Sequence, residues 1–212
     1  MIRPARGYTP PVITPDARFS DAVERLVGEI EAATDAEVVV VAAARSGSYR
    51  DVAWLAAGIA SFLVLLFLVY SPWSFGPRWI PLDLLLVGVA VHWIALHAPA
   101  VPRLLTTRSR RRAQAEAAAR VAFVEEAVHG TRRGTGLLVY LSLLEGEVCL
   151  VRDLPLDGRI PPAAWSGLDL APRTLDAFLD LLRAVGRVLQ AHAPALQGDN
   201  PDAIANAPRE RR

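Results

Sequence analysis

The chain has 212 residues, of which 52% are hydrophobic, and its formal net charge is +1 because 23 arginines face 22 acidic residues. A balance so near neutrality gives no overall field to draw in nucleic acid or a strongly charged partner. One cysteine, Cys149, excludes an intramolecular disulfide and a cysteine-based metal cluster.

Residues 1–13 are proline-rich and read as an irregular N-terminus without the basic-then-apolar pattern of a signal peptide. Thr14-Pro15-Asp16 then offers a helix start, with Thr14 as N-cap and proline in the first turn. Phe19, Val23, Leu26 and Ile30 recur at helical spacing beyond it. The run Glu37–Ala43 contains four consecutive valines, Val38 to Val41, and predicts a strand buried on both faces, as in parallel sheets. Asp35 and Glu37, at its start, read as turn residues. Ser46-Gly47-Ser48 breaks the chain.

Two apolar runs follow, Ala53–Tyr70 and Leu82–Ala100, 18 and 19 residues long. Helices of about 20 residues span the hydrocarbon core of a bilayer. Asp83 is the only acid in either run, and neither contains arginine. A chain of this size has no core large enough to bury two such helices. Arg45 and Arg50 precede the hairpin and Arg103, Arg108, Arg110, Arg111 and Arg112 follow it, while the loop 71–81 carries only Arg78. The positive-inside rule therefore predicts a cytoplasmic location for both ends and an external loop. Tyr70, Trp73 and Trp79 sit around that loop, as interfacial aromatics do. The arginine cluster abuts a membrane segment and has no interleaved aromatics, so anionic lipid head groups are its expected partner, not nucleic acid. His92 and His97 lie on the second run about 140° apart around the helix, on different faces. Two helices do not enclose a transport pathway without oligomerisation.

Ala113–His129 predicts an amphipathic helix ending at Gly130. Leu137–Leu143 and Val148–Val151 are apolar strands joined by the turn Glu145-Gly146-Glu147, an antiparallel hairpin. Pro155, Pro161 and Pro162 mark a loop, and Arg173–His192 repeats Leu175, Phe178, Leu182, Val185 and Leu189 on one helical face. Residues 195–212 read as a polar, mobile tail. The segments 14–49 and 102–194 together form one cytoplasmic α/β domain, interrupted by a membrane hairpin over 50–101. A helical crossover between the first two strands allows them to lie parallel.

No phosphate-cradling glycine loop, zinc-protease motif or nucleophile elbow is present. Asp153 and Asp157, after the third strand, are the candidate oxygen ligands for Ca²⁺ or Mg²⁺, at a carboxyl strand end where open sheets tend to bind ligands. On this reading Asp35 and Glu37 lie at the opposite end of the sheet.

The stretch Glu29–Val40 resembles the opening helix and strand of TPM domains. Thr131–Glu145 is similar to their Thr- and Gly-bearing turn, apolar strand and acidic turn. In order, residues 20–195 resemble the bacterial branch in which two transmembrane helices split the TPM domain. The resemblance implies a three-layer α/β fold with a small mixed sheet, anchored in the bacterial inner membrane as a multi-pass protein. With a well-formed core and no assembled catalytic constellation, the expected function is a non-catalytic interaction or assembly module that binds a protein partner or a second copy of itself. The alternative, implied by the resemblance, is a weak metal-dependent acid phosphatase of the TPM type. The family's Ala-Asp-x-Gly-Ile stretch is here Arg152-Asp153-Leu154-Pro155-Leu156, with proline in place of a flexible glycine.

Overall fold

The computed structural model describes residues 13–73, 75–131, 133–195 and 206–211. The expected irregular stretch 1–12 and residues 196–205 of the expected tail lie outside them, as does Arg132. The chain divides into two compact units, residues 1–46 with 112–212, and residues 47–111.

The first unit is built on a four-stranded mixed sheet. Strands β1 (Glu37–Ala43) and β2 (Gly136–Ser142) run parallel with Val40 opposite Val139. Strand β3 (Glu147–Arg152) returns antiparallel to β2, pairing Cys149 with Tyr140. These pairings follow the sequence expectation. Helices α1 (Ala17–Ala33) and α7 (Leu175–His192) cover one face, where Phe19, Val23 and Val27 meet Val38, Val40, Leu182 and Val185. Helix α5 (Arg108–Glu125) covers the other, where Ala115, Ala119 and Ala122 meet Val39, Val41 and Leu138. Alternate valines of β1 thus serve opposite cores, which is why its run is apolar without interruption. Phe19 and Phe178 stack at 5.7 Å at the centre of the first layer.

Four expectations are corrected. Asp16, not Thr14, caps α1: its carboxylate accepts the Phe19 N–H at 2.9 Å, three residues on, the reach that capping needs. The helix expected over Ala113–His129 is instead α5, which begins at Arg108 and ends at Glu125. Left-handed Ala127 (φ 53°) follows, with a 3₁₀ turn over Val128–Gly130. The proline-marked loop contains α6 (Leu154–Arg159), with Pro155 tolerated in its first turn, and a 3₁₀ turn over Pro162–Trp165. The tail is not wholly irregular: β4 (Arg209–Arg211) pairs parallel with β1 at Val41–Ala43. Burial pulls the carboxyl pKa of Glu126 upward, but hydrogen bonds from Arg211 and Arg209 outweigh it, holding Glu126 below the usual carboxylate range and fixing β4 to the end of α5.

The second unit contains α2 (Arg50–Tyr70), α3 (Ile80–His97) and the short α4 (Ala100–Leu105). Helices α2 and α3 are both long and apolar enough to cross a membrane.

Candidate functional site

Because β3 runs against β2, its carboxyl end lies beside the amino ends of β1 and β2. The backbone shows this directly. The Asp153 N–H donates to the Gly136 carbonyl at 2.9 Å, and the Glu37 N–H donates to the Thr135 carbonyl at 3.2 Å. Asp35 and the Asp153–Asp157 segment therefore share one end of the sheet, correcting the expectation that they lie at opposite ends. Asp35 is no exposed turn residue. Its side chain is 1% exposed, with Oδ1 2.5 Å from an Arg133 guanidinium nitrogen and Oδ2 3.3 Å from an Arg159 nitrogen. Its backbone N–H donates to the Ala193 carbonyl at 2.9 Å.

Asp153 and Asp157, the candidate metal ligands, have protein partners. Asp153 caps α6, its Oδ1 accepting the Leu154 N–H at 2.8 Å. Asp157 pairs with Arg152 at 2.7 Å. Among the described residues no three His, Cys, Asp or Glu side chains are grouped to hold a metal ion.

The opposite end of the parallel pair is polar and filled by its own partners. The Ser46 hydroxyl lies 2.5 Å from that of Ser142 and 3.2 Å from the Tyr140 oxygen. Glu145, buried, accepts the Ser142 hydroxyl and the Ser46 N–H. Burial raises the pKa of the Tyr140 hydroxyl. A groove of about 290 Å³ runs along the outer edge of β3, where the Val148 N–H donates to the Leu170 carbonyl, and is lined in part by Arg112, Arg120, Cys149, Arg152 and Trp165. The Arg152 guanidinium sits 5.0 Å over the Trp165 ring. Burial pushes the Cys149 thiol pKa up to about 11, aided by Glu116 and Glu147, so at neutral pH it is an inert thiol.

In the second unit the helices meet through small residues. A side chain at Gly88 would lie 3.0 Å from the Ser61 hydroxyl, which donates to the Leu84 carbonyl at 3.1 Å. The outward surface is apolar: Phe62, Leu85 and Leu86 are 59%, 62% and 58% exposed. Tyr70, Trp73 and Trp79 are exposed around the connecting loop. The two histidines have different neighbours, as their angular separation predicts. His92 packs against Trp54 of α2 with ring centres 4.1 Å apart and planes tilted by 33°, whereas His97 Nδ1 donates to the Trp93 carbonyl of its own helix at 2.8 Å. Arginines of the cluster also have partners: Arg110 pairs with Asp51 at 2.7 Å, Arg112 pairs with Glu116 at 2.9 Å, and Arg111 donates to the Arg103 and Thr106 carbonyls.

No protein-family model matches the chain, and no curated protein matches it. Its fold is similar to the NMR structure of the BA42 protein from the psychrophilic bacterium Bizionia argentinensis. The two share 11% identity with a TM-score of 0.53, over 94% of this chain and 97% of that one. At that identity the likeness is one of fold.

Sequence reading missed Arg133 and Arg159 because nothing local marks either as the partner of a residue some hundred positions away. The available signal was topological. An antiparallel β2–β3 hairpin already implies that the segment after β3 returns to the start of β1.

Proposed function

We propose that this chain is a multi-pass protein of the bacterial inner membrane. Its hairpin anchors a cytoplasmic TPM-like α/β domain, and that domain works as an interaction or assembly module. The observation that carries the reading is the pair of helices α2 and α3, whose outward faces are almost wholly apolar and exposed. A core helix of a soluble protein buries such a face. A signal sequence lies near the start of a chain, and these helices occupy its middle. Water contact along two such helices is costly, and hydrocarbon removes that cost.

Orientation follows from the arginines on both flanks of the hairpin and the single Arg78 in its loop. Anionic head groups are the proposed partners of Arg103, Arg108, Arg110, Arg111 and Arg112. Their attraction is weakened at Arg110 and Arg112 by the ion pairs to Asp51 and Glu116. The TPM-like reading is supported by the order of the motifs and by the α/β/α layering on a mixed sheet. The module reading is supported by a domain whose buried polar groups are largely bound to one another. Both strand ends of the sheet close on internal ion pairs or hydroxyl networks.

Two measurements test this. Membranes washed with alkaline carbonate should retain the chain, and detergent should release it. Recovery in the carbonate supernatant would refute the anchor. Photo-crosslinking in native membranes should trap a discrete protein adduct on the α/β domain, and its absence at every surface position tried would refute the module.

A further inference from the structure

We infer that Arg133 and Arg159 form a clamp for carboxylates of an acidic segment on a protein partner, an inference that rests on the module reading above. The two arginines come from different parts of the chain, the loop before β2 and the end of α6, and converge on the single buried carboxylate of Asp35. Each donates to it through one nitrogen, and among the described residues neither makes a further hydrogen bond. A guanidinium has five N–H donors in a planar fork, so most of the donors of both forks remain for a ligand.

Both guanidinium side chains are 44% exposed, whereas Asp35 is 1% exposed. The anchor is thus buried and the donors face water. Two guanidinium groups against one carboxylate leave a net charge of +1. That charge matches one carboxylate monoanion and is too small to neutralise a phosphate dianion. Asp157 and Asp153 do not fill the clamp, since Asp157 pairs with Arg152 and Asp153 caps α6. Asp35 also holds two long, flexible side chains in place before any ligand arrives, so binding does not have to order them. Planar bidentate recognition of carboxylate is the geometry a guanidinium favours. The lining of the groove along β3 does not include Arg133, Asp35 or Arg159, and the two guanidinium groups, nearly half exposed, open onto the surface. A small free carboxylate would gain few contacts there, while a peptide adds contacts across the surface.

The test uses the full chain in nanodiscs of neutral lipid and a fluorescein-labelled hexaglutamate peptide, read by anisotropy at low salt. The peptide should bind. Arg133→Gln and Arg159→Gln should each weaken binding about tenfold or more, the usual scale for one charge-assisted contact. Asp35→Asn combined with both substitutions removes the clamp without leaving a buried carboxylate unpaired. It should remain folded and fail to bind. Unlabelled hexaglutamate should displace the probe, and inorganic phosphate at equal concentration should not. Absence of binding, binding unchanged by the substitutions, or displacement by phosphate as effective as by hexaglutamate would overturn the inference. The module reading fails separately: it falls if the wild type yields no crosslinked partner, and it survives if that partner is still trapped by the triple variant, in which case only the clamp falls.

Discussion

Removing both arginines from Asp35 is the sharpest test of the charge arrangement at the amino end of the parallel strands. In the wild type a carboxylate that is 1% exposed is held by Arg133 at 2.5 Å and Arg159 at 3.3 Å. Arg133→Gln with Arg159→Gln strands that charge in the interior, a change that costs about 3–5 kcal/mol where a buried pair is broken. Either single substitution leaves one guanidinium in place. Because these arginines are nearly half exposed and screened by solvent, its cost is about 1–2 kcal/mol, below the full value of a buried charge-assisted bond. Adding Asp35→Asn to the double variant removes the stranded charge and should restore most of the loss, since neutral replacement of a whole ion cluster is often close to neutral in stability. The assay is urea unfolding of the full chain in detergent, followed by pulse labelling of Cys149, the one thiol in the chain and a buried residue of the sheet. A triple variant as unstable as the double would refute the claim that these two groups hold the buried Asp35 side chain.

Three other outcomes follow from single residues. Gly136→Ala should cost more than about 3 kcal/mol, because its Cβ would stand 2.2 Å from the Val128 carbonyl oxygen and no side-chain rotation relieves a backbone clash; chemical denaturation checks this. Asp16→Ala should cost about 1 kcal/mol of stability and Thr14→Ala close to nothing, because only Asp16 accepts the Phe19 N–H. The Cys149 thiol is raised from 9.0 to about 11, so its contribution to stability is complete below pH 9 and disappears as pH rises towards 11. Wild type should therefore lose up to about 3 kcal/mol over that window relative to Cys149→Ala, measured by unfolding at fixed pH, and parallel curves would refute the burial of the thiol.

Legibility in the sequence tracked how local the determining physics was. The valine run of β1 and the apolar face of α7 were readable because burial on two faces or on one leaves its own period in the residues. The hairpin was readable from length and composition alone. Strand β4, an Arg-Glu-Arg segment, leaves no such period. It exists because β1 offers an unpaired edge and because Glu125, at the end of α5, and Glu126, just beyond it, hold Arg209 and Arg211. The exact capping residue of α1 was missed because both Thr14 and Asp16 are suitable cap types, and only the reach to the Phe19 N–H separates them. Helix α6 was hidden by Pro155, which reads as a breaker in isolation yet fits a first turn. The Asp35 cluster needed three segments to be brought together, and local sequence carries no trace of that.

The claim on which the account depends is that a two-helix anchor crosses the bilayer while the α/β unit stays inside. Site-specific labelling of intact cells with a membrane-impermeant maleimide tests it, in a Cys149→Ala background carrying either Gly76→Cys in the connecting loop or Glu24→Cys on the exposed side of α1. The account predicts labelling at position 76 in intact cells and at position 24 only after lysis. Labelling of position 24 from outside, or of position 76 only after lysis, would contradict it.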